Sequence, residues 1–117
     1  MKRENLDKLY KRYPVILERC SINCGDGWFT ILDVLLSELQ SRADQEKDPQ
    51  PVAMQIKEKW GELRVYLKGA TDSQGILIDF ARESSLRICD VCAHPGDLLK
   101  NSGFFRVRCS EHSEHPN

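Results

Sequence analysis

The chain has almost no net charge to act with: 17 lysines and arginines face 18 aspartates and glutamates, leaving -1 at neutral pH. A molecule so balanced projects no global field that draws it to DNA or anionic lipid, so a nucleic-acid role needs a local basic patch. Long apolar runs are also missing, and nothing approaches the roughly 18 consecutive apolar residues that span a bilayer. The opening MKRENLDKLYKRYP lacks the apolar core and small-residue cleavage site of a secretory signal. These absences lead us to expect a cytoplasmic protein without membrane association. There is no internal repeat and no low-complexity tract.

The usual catalytic signatures are absent as well. The sequence contains no GxxxxGK[ST] loop, no HExxH and no GxSxG, the patterns that cradle phosphate, bind a proteolytic zinc or carry a hydrolase serine. All three histidines lie at or near the C-terminal cysteines, where metal binding explains them better than nucleophile activation. Asp26, between two glycines, reads as a helix cap before it reads as a catalytic carboxylate. The expectation is a protein with no catalytic residues.

What is present is the composition of a folded domain, 40% hydrophobic and 30% charged, in a chain short enough to bury only a modest core. Leu6, Leu9, Tyr10 and Tyr13 recur at helical spacing until Pro14 interrupts them, predicting a short amphipathic helix that starts near Glu4 or Asn5. Cys24-Gly25-Asp26-Gly27-Trp28 reads as a tight bend, with Asp26 capping the helix that follows. Trp28, Ile31, Leu32, Leu35, Leu36 and Leu39 give that helix its core stripe. It should stop between Arg42 and Asp44, before a polar surface loop ending in Pro49 and Pro51.

From Val52 the period becomes two, with Val52, Met54 and Ile56 expected on one side and Ala53, Gln55 and Lys57 on the other. Leu63, Val65 and Leu67 alternate with Arg64, Tyr66 and Lys68, and Gly61 marks the turn of an antiparallel hairpin. Thr71, Asp72 or Ser73 caps a third helix, expected to aim Ile76, Leu77, Phe80, Ala81 and Ser84 toward the sheet.

Five cysteines without a secretory signal suit metal ligation or reduced thiols better than a disulfide framework. Cys89-x2-Cys92, sixteen residues, and Cys109-x2-His112 have the paired spacing of a zinc ribbon. Each short pair aims two ligands at one ion, while the interval leaves and returns as a hairpin turning at residues 100–103. A mixed thiolate and imidazole set favours Zn2+ over iron, and four protein ligands leave no position for a reactive water, so the ion is structural. His94 and His115 compete with His112 for the fourth position, Gly96 is read as relaxing the first knuckle, and Cys20 and Cys24 are read as packed thiols. The fold class expected is α+β, a small antiparallel hairpin or sheet packed on two or three helices with a C-terminal zinc ribbon. Residues 1–85 form the core and 86–117 the ribbon tail packed on it, as one structural domain.

CGDGWF at 24–29, VAMQIKEKWGELRVYLKG at 52–69, ATD at 70–72, CDVCAHPG at 89–96 and CSEH at 109–112 resemble a family of small uncharacterised proteins from phages, prophages and bacterial genomes. In that family the hairpin turn commonly reads KFGxLR, and this chain keeps the frame with Trp60 in place of Phe. The resemblance implies a zinc-bearing tail and a phage or mobile-element origin in a bacterial host, with no established reaction.

The function expected is a zinc-stabilised module that binds a host or bacterial protein, of the kind a phage uses as an inhibitor of a bacterial defence system such as an anti-CRISPR. Lys57, Lys59, Trp60, Arg64 and Tyr66 on the outer sheet face and turn are the expected partner-binding residues, because Trp, Tyr and Arg dominate interface energetics. Two alternatives stay open. One is a nucleic-acid-binding or regulatory zinc ribbon using Arg87, Lys100, Arg106 and Arg108 with Phe104 and Phe105, although Asp90, Asp97, Glu111 and Glu114 offset those charges. The other is the immunity protein of a toxin pair.

Overall fold

The computed structural model describes residues 1–101 and 103–113. The described residues form an α+β fold of three helices and two small sheets, in the order α1 (Arg3–Arg12), β1 (Ser21–Asn23), a 3-10 turn (Asp26–Trp28), α2 (Phe29–Asp44), β2 (Ala53–Lys59), β3 (Glu62–Leu67), α3 (Asp72–Ser85), β4 (Asp97–Asn101) and β5 (Phe104–Arg108). The first sheet has the order β1-β2-β3 and the second is the β4-β5 hairpin.

Trp28, Leu32, Leu36 and Leu39 are completely buried, so the apolar stripe of α2 forms the centre of the core, as its three-and-four spacing requires. Leu9 from α1, Ile16 and Leu17 from the following turns, and Ile56 and Leu63 from the sheet close around it. Helix α1 carries Glu4 in its first turn and Lys11 and Arg12 in its last, charges placed to suit its dipole. It is tied down by Tyr13, whose hydroxyl donates to Asp33 Oδ1 at 2.6 Å.

Two features of the sheet depart from the period-two reading. A short strand, β1, pairs in parallel with β2, Ile22 opposite Ile56, so the sheet is mixed and α2 is the crossover between parallel neighbours. Three residues are too few for their alternation to stand out in the sequence. The register of β2 against β3 also shifts between Ala53 and Gln55. That bulge moves residues across the sheet: Ala53 and Ile56 are both buried, and Met54, expected beside Ile56, is exposed.

The β2-β3 turn has two residues between its paired strands. Lys59 pairs with Glu62, and Trp60 and Gly61 adopt φ of 57° and 82°, the double left-handed conformation of a type I′ hairpin. Ser85 Oγ accepts from the Leu63 amide at 3.0 Å and donates to the Arg82 carbonyl, which docks α3 along β3.

Helix α3 is capped by Thr71 in a reciprocal box with Gln74. Its orientation differs from the expected one. Ala81 is buried, but Ile76 and Phe80 are 68% and 74% exposed, because α3 lies between α2 and β3 and turns those two residues outward. The polar loop before β2 is also more than a surface connection. Asp48 accepts from Ser73 Oγ at 2.6 Å, Thr71 Oγ1 at 3.1 Å and Arg42 Nε at 2.7 Å, joining the end of α2 to the start of α3. The Ser73 and Arg42 hydrogen bonds hold its carboxyl below the usual range. The clamp is therefore at full strength at neutral pH and is lost in acid, as pH falls through that lowered value.

Ser85→Ala removes the hydroxyl that accepts from the buried Leu63 amide. We expect it to destabilise the protein by about 1–3 kcal/mol, read as a lower urea midpoint with an unchanged slope.

Candidate metal centre

Cys89, Cys92, Cys109 and His112 converge, with one ligand atom from each within 4.8 Å of all the others. Cys109 Sγ lies 3.2 Å and Cys89 Sγ 3.7 Å from His112 Nδ1, and Cys92 Sγ lies 3.6 Å from Cys109 Sγ. A tetrahedral ion with metal–sulfur bonds of about 2.3 Å has ligand–ligand edges of roughly 3.8 Å, and a disulfide needs about 2.05 Å. The spacing fits a shared ion and not a bridge. The four residues are thus a possible metal site of the Cys3His type.

The backbone builds the site in two knuckles. Cys89 N–H donates to the His94 carbonyl at 2.7 Å and Ala93 N–H to the Cys89 carbonyl at 3.0 Å, wrapping the chain around the first ligand pair. Ala93, at φ 71°, takes the left-handed step, not Gly96. Gly96 is needed for closeness: a Cβ there would meet the Arg108 carbonyl carbon at 2.9 Å and the Cys89 nitrogen at 3.0 Å. In the second knuckle His112 N–H donates to the Cys109 carbonyl at 3.1 Å. Between them β4 and β5 pair from Asp97 opposite Arg108 to Asn101 opposite Phe104. His94 is exposed and contributes its carbonyl, its ring lying outside the cluster, and His115 falls outside the described residues.

Burial opposes ionisation of Cys89, but backbone hydrogen bonds from Cys109, Cys92 and Val91 outweigh it and bring the thiol down to about 7. A thiolate held this way is ready to ligate. Cys20 and Cys24 have the opposite character. Burial raises them to about 11 and about 12, which keeps them neutral as packed thiols.

The reason for the glycines in CGDGW lies here. A Cβ on Gly27 would fall 2.0 Å from the Cys89 carbonyl oxygen, and one on Gly25 would fall 2.0 Å from that of Asp90. Gly27 N–H donates to the Asp90 carbonyl at 3.0 Å and Trp28 Nε1 to the Ile88 carbonyl at 2.9 Å. The motif is a backbone clamp on the first knuckle. Asp26 does not cap α2. Its Oδ1 accepts from Lys2 N–H at 2.7 Å and Asn5 Nδ2 at 3.0 Å, fastening the start of α1 instead.

Charged contacts complete the docking of the ribbon. Arg108 Nε sits 2.7 Å from Asp90 Oδ1 with both side chains buried, and Arg106 Nη1 sits 2.6 Å from Glu58 Oε1. Glu58 also accepts from Gly61 N–H at 2.8 Å, so one carboxylate links the β2-β3 turn to β5. Desolvation raises the Asp90 carboxyl, and the guanidinium of Arg108 opposes that rise. Beside them the Trp60 and Phe105 rings meet at 5.5 Å. Of the expected partner-binding residues, Lys57, Lys59, Arg64 and Tyr66 share one sheet face, Lys57 directly opposite Arg64, and Trp60 stands at its end, 59% exposed. No protein-family model matches the chain, and neither a curated protein nor a solved structure shows significant similarity to it.

Gly27→Ala forces apart two backbones that now touch, and we expect it to cost about 2–4 kcal/mol. Gly75→Ala is the control, since a Cβ there meets nothing within 4 Å and alanine is the better helix former by about 0.5–1 kcal/mol. Thermal denaturation of the two should move in opposite directions.

Proposed function

We propose that the protein is a non-enzymatic, zinc-stabilised module that binds another protein through the outer face of its three-stranded sheet. The observation that carries the zinc part is the convergence of three sulfurs and one imidazole nitrogen at tetrahedral spacing. Cys89, Cys92, Cys109 and His112 would hold the ion, and with all four positions supplied by protein its work is structural. An apparent binding energy on the order of 10 kcal/mol is large beside what so small a core supplies.

The binding part rests on Trp60. A residue with a Cβ at φ 57° pays about 1 kcal/mol or more for a conformation that Asn or Gly adopts readily, and here it is a tryptophan left 59% exposed. Its contact with Phe105 accounts for only part of the ring. Next to it Lys57 lies opposite Arg64 across the ladder, and because Arg64 already pairs with Glu62 at 2.7 Å, the cations this face offers an acidic surface are chiefly Lys57 and Lys59. A strained and exposed tryptophan at this place favours a recognition role over a solvated face.

The ribbon reading as a nucleic-acid binder has weaker support. Arg108 faces Asp90, Arg106 faces Glu58 and Arg87 faces Glu83 at 3.8 Å, so three of its four cations are already engaged. The finer reading, a phage-encoded inhibitor of a bacterial defence system of the anti-CRISPR kind, is supported by the resemblance of the CGDGW, KWGELR and CxxC…CxxH segments to phage proteins. An immunity protein shares this docking logic.

Elemental analysis of untagged protein should give one zinc per chain, and EDTA should lower the melting temperature by at least about 10 °C. A metal-free preparation with the same melting curve would refute the structural-ion reading. Affinity capture from a bacterial lysate should recover one stoichiometric partner. Trp60→Asn combined with Arg64→Ala keeps the I′ turn, so it should lose that partner while melting within a few degrees of wild type. Undiminished capture by the double variant would overturn the assignment of the sheet face.

A further inference from the structure

We infer that Cys92 and Cys109 form a peroxide-sensitive pair, and that their oxidation exchanges the shared ion for a disulfide between the two knuckles. The inference rests on the structural-ion reading and adds to it a chemical route by which the ion is released.

Accessibility sets the point of attack. Cys20, Cys24, Cys89 and Cys109 are buried, and Cys92 is the one cysteine of the chain that is only partly covered. Oxidation of sulfur by peroxide follows exposure and thiolate character, and a half-covered metal ligand has both. Geometry then selects the second sulfur. Cys109 Sγ lies 3.6 Å from Cys92 Sγ, so the two need to close by only about 1.6 Å to reach disulfide length. Cys89 also belongs to the cluster, but it is held in place: its sulfur accepts from the backbone amides of Cys109, Cys92 and Val91. Its own N–H donates to the His94 carbonyl and its carbonyl accepts from Ala93 N–H. Cys20 and Cys24 lie outside the cluster.

The chemistry balances with a peroxide as the oxidant. The Cys92 thiolate attacks one peroxide oxygen, the O–O bond breaks, Cys92 becomes a sulfenic acid and hydroxide leaves. The Cys109 thiolate then attacks that sulfur, the S–S bond forms and a second hydroxide leaves. Solvent protons turn both hydroxides into water; two thiolates have lost two electrons and one peroxide has gained them. Cys89 and His112 then supply only two of the four ligands a structural zinc needs, and the ion is released. Bonds outside the ligand set keep the knuckles side by side as it goes. Gly27 N–H and Trp28 Nε1 grip the first, and Arg108 reaches across to Asp90. The disulfide closes the chain from Cys92 to Cys109 and takes over the ion's role as fastener.

The test adds hydrogen peroxide in steps to the full, zinc-loaded chain, with bound zinc counted before treatment. Each zinc released to a chromogenic chelator should be matched by the loss of two thiols, so that the five cysteines, titrated in denaturant, fall to three. Tryptic digestion should leave fragments 88–100 and 109–117 joined, and tandem mass spectrometry should place the bridge at Cys92. The oxidised protein should melt at a higher temperature than the EDTA-treated one, and a thiol reductant with added zinc should restore the starting state. A chain that carries no zinc before treatment sinks the structural-ion reading and this inference with it. Zinc retained through peroxide treatment, a bridge confined to fragment 88–100, or a bridge that leaves Cys92 free would overturn this inference alone. So would an oxidised protein no more stable than the EDTA-treated one, because the disulfide would then not replace the ion.

Discussion

The carbonyl oxygens of Cys89 and Asp90 occupy the space where residues 27 and 25 would place their Cβ atoms, and the rest of the molecule is arranged around that close approach. Only a chain without side chains at both positions lets the α2 entry lie against the first knuckle, and only then do the Gly27 amide and the Trp28 indole reach their acceptors. Those bonds leave no polar group of the clamp stranded in an interior that would penalise it. The same segment carries Asp26, which holds the start of α1. The glycine pair thus joins the metal knuckle, the central helix and the N-terminal helix at one point, and substituting it affects all three together.

Buried charge is used sparingly and in pairs. Asp90 and Arg108 lie one on each side of the ribbon, next to ligands Cys89 and Cys109. Removing either would leave the other in a poor environment for a lone ion, so the pair fixes how the two knuckles sit relative to each other more than it adds stability. Glu58 does similar work where the two hairpins meet, accepting from the Gly61 amide while facing Arg106. With Arg106 and Arg108 committed to Glu58 and Asp90, the hairpin of the ribbon presents little positive surface.

The helices, the hairpin and the convergence of Cys89, Cys92, Cys109 and His112 were legible because each obeys one dominant rule. The α2 stripe follows a period of 3.6, the turn follows Gly61, and the ligands follow the two-residue interval that a knuckle permits. What was hidden depends on long-range geometry. Strand β1 is three residues long and exists because β2 offers it a parallel edge. The bulge after Ala53 moves Met54 outward without any glycine or proline to announce it. Asp48 stands in a run of loop-forming residues and acquires a role only because Thr71 and Ser73 arrive beside it. The GDG motif was visible, but the sequence favours the local explanation, a bend and a cap, over a backbone contact spanning more than sixty residues. Helix α3 misled for a related reason: Ile76 and Phe80 lie on an apolar strip that marks an interior face by pattern, and in the fold only part of that strip is covered, leaving these two exposed.

The groove between α2 and α3 and the metal site are physically continuous, and this sets how they influence each other. Gly27, Ile88 and Ala93 form one end of the groove, and each also belongs to the clamp or the knuckle: Gly27 by its bond to Asp90, Ile88 by its bond to Trp28, and Ala93 by its bond to Cys89. Ala93 holds φ 71°, a conformation an alanine keeps only while its surroundings enforce it, and the enforcement comes from the ligand turn. If the four ligands lose their common centre, that turn relaxes toward ordinary backbone angles. The floor beneath Ile31 and Phe80 then loses its shape at that end, while the far end, held by Asp48 and the Thr71 cap, does not. The Cys/His cluster and the end of the groove at Gly27 and Ala93 are therefore joined through one short stretch of backbone.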